Sequence, residues 1–171
     1  VRRIRATLQA GAGDHGEGLG EYVNDLGDPH VGHIHYLYDV YMRIPLIFSG
    51  PGVPKGKKSS DMVSLLDVAP TLFKLLGFKS QPSFQGRNIF ETLGDKSPEI
   101  FQETHKPEAF KNRFALLKQP WHLILVPEDQ ILEIYNLSSD PQEKANLAED
   151  KEGAAALDRM KRRLEEFARD V

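Results

Sequence analysis

Apolar positions change their period along the chain, and each change marks a different kind of structure. Residues 1–13, "VRRIRATLQAGAG", are basic and then small, with no clear period, and read as a ragged start or linker. From 14 to 36 the chain is rich in Gly, Asp, His and Asn, which is loop chemistry. "RIPLIFSGPG" then brings an apolar run, Ile44–Phe48, bounded by Pro and by Gly50-Pro51-Gly52, as a short buried and central strand would be. In "SSDMVSLLDVAPTLFKLLGF" the apolar residues Val63, Leu66, Leu72, Leu75 and Leu76 recur at helical spacing. One or two helices are expected over about 61–76, with Ser60 or Asp61 as caps, Pro70 in the first turn of the second and Gly77 as the stop.

Beyond residue 95 the pattern shortens. Ile100–Glu103, Arg113–Lys118, His122–Val126 and Leu132–Tyr135 are separated by turn-rich pieces at the spacing of an antiparallel meander. Ala154–Arg169 is amphipathic, with Leu157, Met160, Leu164, Phe167 and Ala168 on one face. The expected organisation is α/β: residues 1–97 as one part, and residues 98–171 as a small antiparallel sheet packed with a C-terminal helix.

Composition narrows the chemistry. The 171 residues are 40% hydrophobic, enough for a real core, and the formal charge of −3 with scattered basic residues argues against a nucleic-acid surface. No apolar run approaches the ~20 residues that span a bilayer, so the chain reads as soluble, with no membrane span. Cysteine is absent, so any metal must use His and oxygen donors, and the cytoplasm and periplasm are equally compatible with the sequence.

Six histidines and a Gly-flanked acid supply the candidates. Asp14 and His15 are the two commonest non-thiol donor types, placed side by side in a loop that glycines allow to curl. Glu17 either orients His15 or faces water. His33 and His35, at i and i+2, would share one face of an extended segment and could ligate a metal or a bound oxyanion. His30 gets no role, and His105 and His122 read as packing or edge decoration. "SQPSF", Ser80–Phe84, has a Ser-x-Pro-Ser order but no following arginine and is set aside as a nucleophile.

Five phrases in one order carry a resemblance: "DHGEGLGEY", "GHIHYLYDVYMRIPLIFSGPG", "VSLLDVAPTLFKLLGF", "FQGRNIF" and "ILEIYNLSSDPQEKANLAED". Together they resemble the C-terminal part of the sulfatase family, within the alkaline-phosphatase-like superfamily. The resemblance implies that residues 1–97 are the C-terminal part of an alkaline-phosphatase-like catalytic core. It implies hydrolysis of a sulfate ester, with Asp14 and His15 as the later pair of ligands to a divalent metal, usually Ca²⁺. The nitrogen donor keeps Mn²⁺ or Zn²⁺ open. It further implies that His33 or His35 contacts the sulfate or phosphate group and assists catalysis. Arg43, expected to pair with Asp39 or another loop acid, and Asp67, expected to cap a helix at Ala69-Pro70, read as structural.

The family's nucleophile, a formylglycine made from a Cys/Ser-x-Pro-x-Arg motif, belongs upstream and is absent from this chain. The chain therefore resembles a piece starting at or just after a central strand, poorly active or inactive alone. Two other readings stay open: a phosphodiesterase or phosphonate monoester hydrolase of the same superfamily, and a truncated, non-catalytic relative. The substrate would be a sulfate or phosphate ester; the oligomeric state is not encoded in any of these features.

Overall fold

A computed structural model describes residues 7–23, 27–33, 35–94, 98–105 and 111–169. In chain order the elements are β1 (Gln9–Ala12), β2 (Gly18–Val23), β3 (Pro29–Gly32), α1 (Asp39–Met42), β4 (Leu46–Ser49), α2 (Val68–Leu75), α3 (Ile89–Thr92), β5 (Ile100–Thr104), β6 (Arg113–Lys118), β7 (Trp121–Val126), β8 (Ile131–Asn136) and α4 (Lys151–Arg169). By their contacts they divide into two compact units, one of Val1–Ala12 with Pro45–Pro98, the other of Gly13–Ile44 with Glu99–Val171.

In the first unit β1 pairs antiparallel with β4, Gln9 opposite Ser49 and Ala12 opposite Leu46. Part of the expected linker is thus a strand, while residues 1–6 lie outside the described residues. No apolar pattern marks it, because "QAGA" has no large apolar side chain; pairing alone makes it extended. The apolar run at β4 is not central here: β1 is its sheet partner among the described residues, and Ile47 is exposed.

The expected helix is a short 3-10 turn, Leu65–Asp67, running into α2. Its cap is Ser64, whose hydroxyl accepts from Leu66 N, in place of Ser60 or Asp61. Asp67 caps no helix at Ala69-Pro70. Its buried carboxylate accepts from Ser64 N at 2.9 Å and Arg87 N at 2.7 Å, tying the turn to the chain entering α3. Thr71 completes that tie: its hydroxyl donates to the Asp67 carbonyl and accepts from Ile89 N. Gly77 stops α2 at φ 76, donating to the Lys74 carbonyl.

In the second unit β5–β8 form the antiparallel meander in sequential order. Its register aligns Leu116, Leu123 and Ile134, and places Ala115 opposite Ile124. Because successive side chains alternate, these rows face opposite sides of the sheet. The first row packs with Ala156, Met160 and Leu164 of α4; Ala115, Ile124 and Tyr135 pack with Leu37, Tyr38 and Met42. Cover on both faces explains why β6 and β7 read as nearly continuous apolar runs. Phe167 of α4 stacks on Phe101, rings 4.1 Å apart; Ala168, expected on the same face, has its side chain outside the described residues.

Candidate functional site

The segment read as loop holds a hairpin. β2 and β3 pair antiparallel, Gly18 opposite Gly32 and Leu19 opposite Val31, with an irregularity toward Val23 where Gly20 takes φ 102. Glu17 immediately precedes β2 and His33 immediately follows β3, so register makes them cross-strand neighbours. Their side chains meet: His33 Nδ1 lies 2.9 Å from Glu17 Oε2. The His15 imidazole stacks on that of His33, centroids 3.7 Å apart and planes 18° from parallel. One donor atom from each of His15, Glu17 and His33 lies within 4.8 Å of the others.

Asp14 stands at the edge of this group. Its Oδ1 accepts from the His15 backbone N–H and lies 3.6 Å from His15 Nε2. His15 Nδ1 is 2.8 Å from the Gly16 carbonyl, which can only accept, so Nδ1 carries a proton and, in the neutral imidazole, Nε2 is left with a lone pair beside Asp14. Two ligand atoms on one divalent ion sit roughly 3–4 Å apart for the usual bond lengths. The Asp14–His15 pair has that spacing, and its carboxylate and imidazole suit a divalent cation. Asp14 is nearly fully exposed, and the imidazoles are about half-buried.

Two glycines serve close approach. A Cβ on Gly16 would fall on the Val40 carbonyl, and one on Gly18 would lie 2.6 Å from the Tyr41 ring. The Gly16 N–H donates to the Tyr41 carbonyl at 2.6 Å, so the loop between His15 and Glu17 is docked on α1. Tyr41 is itself buried, its hydroxyl 2.8 Å from His30 Nδ1. Burial, then the charge of Glu21, pushes the Tyr41 hydroxyl up to about 12. His30 therefore supports the hairpin, a role that its place after a proline did not suggest.

His35 takes φ 82, a left-handed conformation, so the extended backbone on which His33 and His35 would share a face is not present. Only His33 of the two joins the His15–Glu17 group. Arg43 reaches Asp39 at 3.8 Å, as expected, and is exposed. Burial, and then the nearby Glu143, raises the Asp39 carboxyl above its ordinary value. His105 pairs with Glu103 at 3.4 Å on the sheet.

Sequence reasoning missed a buried pair. His122 and Glu143 are almost wholly enclosed, with His122 Nδ1 2.5 Å from Glu143 Oε1 and Nε2 3.3 Å from Gln102 Oε1. The signal was the "DPQE" phrase, an acid after a proline turn that has no reason to be buried unless paired.

No helix among the described residues is long and apolar enough to cross a membrane. Comparison with known proteins places the chain among sulfatases. Arylsulfatase K of Mus musculus is 25% identical over 144 residues, covering 74% of this chain and 26% of that protein. A 2-O GAG sulfatase of known structure superposes with TM-score 0.78 at 25% identity, covering 94% of this chain and 35% of that one. The phosphonate monoester hydrolase of Silicibacter pomeroyi shares the fold, TM-score 0.74 at 21% identity, with 94% and 34% covered. The chain thus spans about a quarter to a third of the length of these relatives. The family model for the C-terminal part of N-sulphoglucosamine sulphohydrolase matches residues 33–170, and the chain belongs to that family.

Proposed function

We propose that this chain is the C-terminal portion of a sulfate-ester hydrolase and supplies part of its metal and anion site, the nucleophile coming from residues it does not contain. The observation that carries the reading is the Asp14 Oδ1 to His15 Nε2 spacing of 3.6 Å with His33 stacked on the same imidazole. Membership of a sulfatase family brings with it a divalent metal and a formylglycine. Asp14 and His15 hold the metal, which when bound neutralises charge on the ester oxygens. The Asp14 oxygen suits Ca²⁺ completed by further oxygens, while the His15 nitrogen donor favours Mn²⁺ or Zn²⁺.

His33, in preference to His35, is the anion-contacting residue. With Nδ1 held by Glu17, Nε2 is the atom left for an ester oxygen, and in the imidazolium form it donates to that oxygen as the alcohol departs. Residues 1–97 serve as the end of the catalytic core and 98–171 as the appended subdomain, on whose sheet Leu37, Tyr38 and Met42 of the former are packed. Hydrolysis of a phosphonate monoester is the second reading, supported by the nitrogen donor at His15 and by the fold shared with such an enzyme.

Calorimetric titration of the 171-residue chain with Ca²⁺, Mn²⁺ and Zn²⁺ tests the metal site. Asp14→Ala and His15→Ala are each expected to weaken the tightest of the three at least about tenfold. Unchanged affinity in both variants sinks the site. An in-frame Cys/Ser-x-Pro-x-Arg segment upstream of Val1 allows the extended protein to be assayed on sulfate and phosphonate esters together. Preferential phosphonate turnover overturns the sulfatase assignment, and absence of that segment leaves a non-catalytic relative.

A further inference from the structure

Glu143 is buried and takes φ 52, a left-handed conformation that costs a non-glycine residue about 1 kcal/mol or more and persists only where surroundings impose it. Both carboxylate oxygens are engaged, and they point to different parts of the unit. Oε1 meets His122 of β7, whose other nitrogen faces Gln102 of β5; Oε2 accepts from the backbone N–H of Asp39 at 2.7 Å. Asp39 is the first residue of α1, a helix of four residues that has no side-chain cap from its own N-cap residue, Tyr38. A carboxylate brought from 104 positions away supplies the acceptor instead.

From α1 the connection continues to the site. The Tyr41 carbonyl holds the Gly16 N–H at 2.6 Å, and Gly16 separates His15 from Glu17, which contact His33. The same turn also grips the hairpin directly. The Tyr22 hydroxyl donates to the Gln142 carbonyl at 2.8 Å, while the Lys144 ammonium lies 4.4 Å over the Tyr22 ring and donates to the Glu21 carbonyl. The turn is rigid in its own right: Asp140 Oδ2 accepts from Lys144 N and Ala145 N, and Asn146 Oδ1 from Ile134 N and Ala148 N.

We propose that Glu143 is a positioning residue of the Asp14–His15–His33 site, fixing α1 to the meander so that the Tyr41 carbonyl holds the His15–Glu17 loop in place. It touches neither metal nor substrate. In its metal arm the inference rests on the function proposed above; in its mechanical arm it does not.

The test compares two substitutions in the 171-residue chain. Glu143→Asp is one methylene shorter and cannot reach His122 and the Asp39 N–H together; Glu143→Gln keeps the span and an acceptor for Asp39. Amide hydrogen exchange at Gly16 and Asp39 is expected to quicken at least about tenfold in Glu143→Asp relative to the amides of Leu123 and Ile134. Zn²⁺ affinity is expected to fall about tenfold or more in Glu143→Asp and to stay within about threefold in Glu143→Gln. If exchange quickens equally at Gly16 and in the sheet, or if affinity follows global stability in both variants, Glu143 is only a stability element and the proposal fails.

Should Glu143→Asp not fold, native-state exchange of the unaltered chain decides. Asp39 and Gly16 are expected to open together, at lower denaturant than Leu123 and Ile134, whereas unrelated openings overturn the coupling. If the unaltered chain binds none of Ca²⁺, Mn²⁺ and Zn²⁺, the metal reading alone is rejected, and the exchange comparison then judges Glu143 by itself.

Discussion

Glu17 holds His33 and not His15: its Oε2 lies 2.9 Å from His33 Nδ1 across the mouth of the β2–β3 hairpin, sixteen residues away in sequence. The carboxylate fixes which nitrogen carries the proton, because an ionised carboxylate only accepts. The pair is about half-exposed, so its worth to global stability is small, below about 1 kcal/mol. Its effect is on the tautomer.

Glu17→Ala is therefore expected to leave the unfolding midpoint nearly unchanged while the Nδ1–H tautomer of neutral His33 falls from the major form to a minor one. Imidazole nitrogen shifts measured by NMR read the tautomer directly. A tautomer ratio that does not move would mean that the Glu17 contact does not orient the ring.

The docking of the loop on α1 predicts a steric outcome at Gly16. A methyl group there lands on the Val40 carbonyl, so Gly16→Ala must push the loop from the helix and break the 2.6 Å bond to the Tyr41 carbonyl. Overpacking of this kind costs about 1–3 kcal/mol, and urea unfolding should record a loss in that range. Gly11→Ala is the control: a methyl there meets nothing within 4 Å, and in a strand it is expected to be neutral or stabilising by about 0.5 kcal/mol. Equal effects at the two positions would show that backbone freedom, and not the approach of α1, is what Gly16 provides.

How far these relationships were legible depends on whether the side chains themselves carried the periodicity. "RFALLK" and "WHLILV" declare β6 and β7 because both faces of the meander are covered, and α4 declares itself because one stripe, Ala156, Met160 and Leu164, lies on the sheet. The hairpin was hidden because its strands, "GLGEYV" and "PHVG", are rich in glycine and polar residues, and their pairing is a backbone matter. Asp14 and His15 could be named from their chemistry. The partner of Glu17 could not, since it is set by the register of strands not recognised as strands. Glu143 was further out of reach, because its two partners, His122 and Asp39, are 21 and 104 positions away.

Acid should loosen α4 from the sheet through Glu99. Its carboxylate accepts from Lys118 Nζ of β6 at 2.7 Å and from Arg163 Nε of α4 at 2.8 Å, and these bonds, Lys118 first, hold the carboxyl below its ordinary value of 4.5. A carboxyl whose folded value lies below its unfolded one adds stability above the unfolded value and loses it as pH falls through the folded one. The unaltered chain should thus exceed Glu99→Gln in stability by about 1 kcal/mol at pH 7, a figure kept small because Lys118 and Arg163 are over a third exposed. That margin should shrink once pH drops below 4.5, and about 1 M salt at neutral pH should reduce it as well. Chemical unfolding of both proteins from pH 7 down to the acid limit of folding measures it. A margin that stays constant through that range would assign the effect of Glu99 to packing against β6 and α4 and not to its charge.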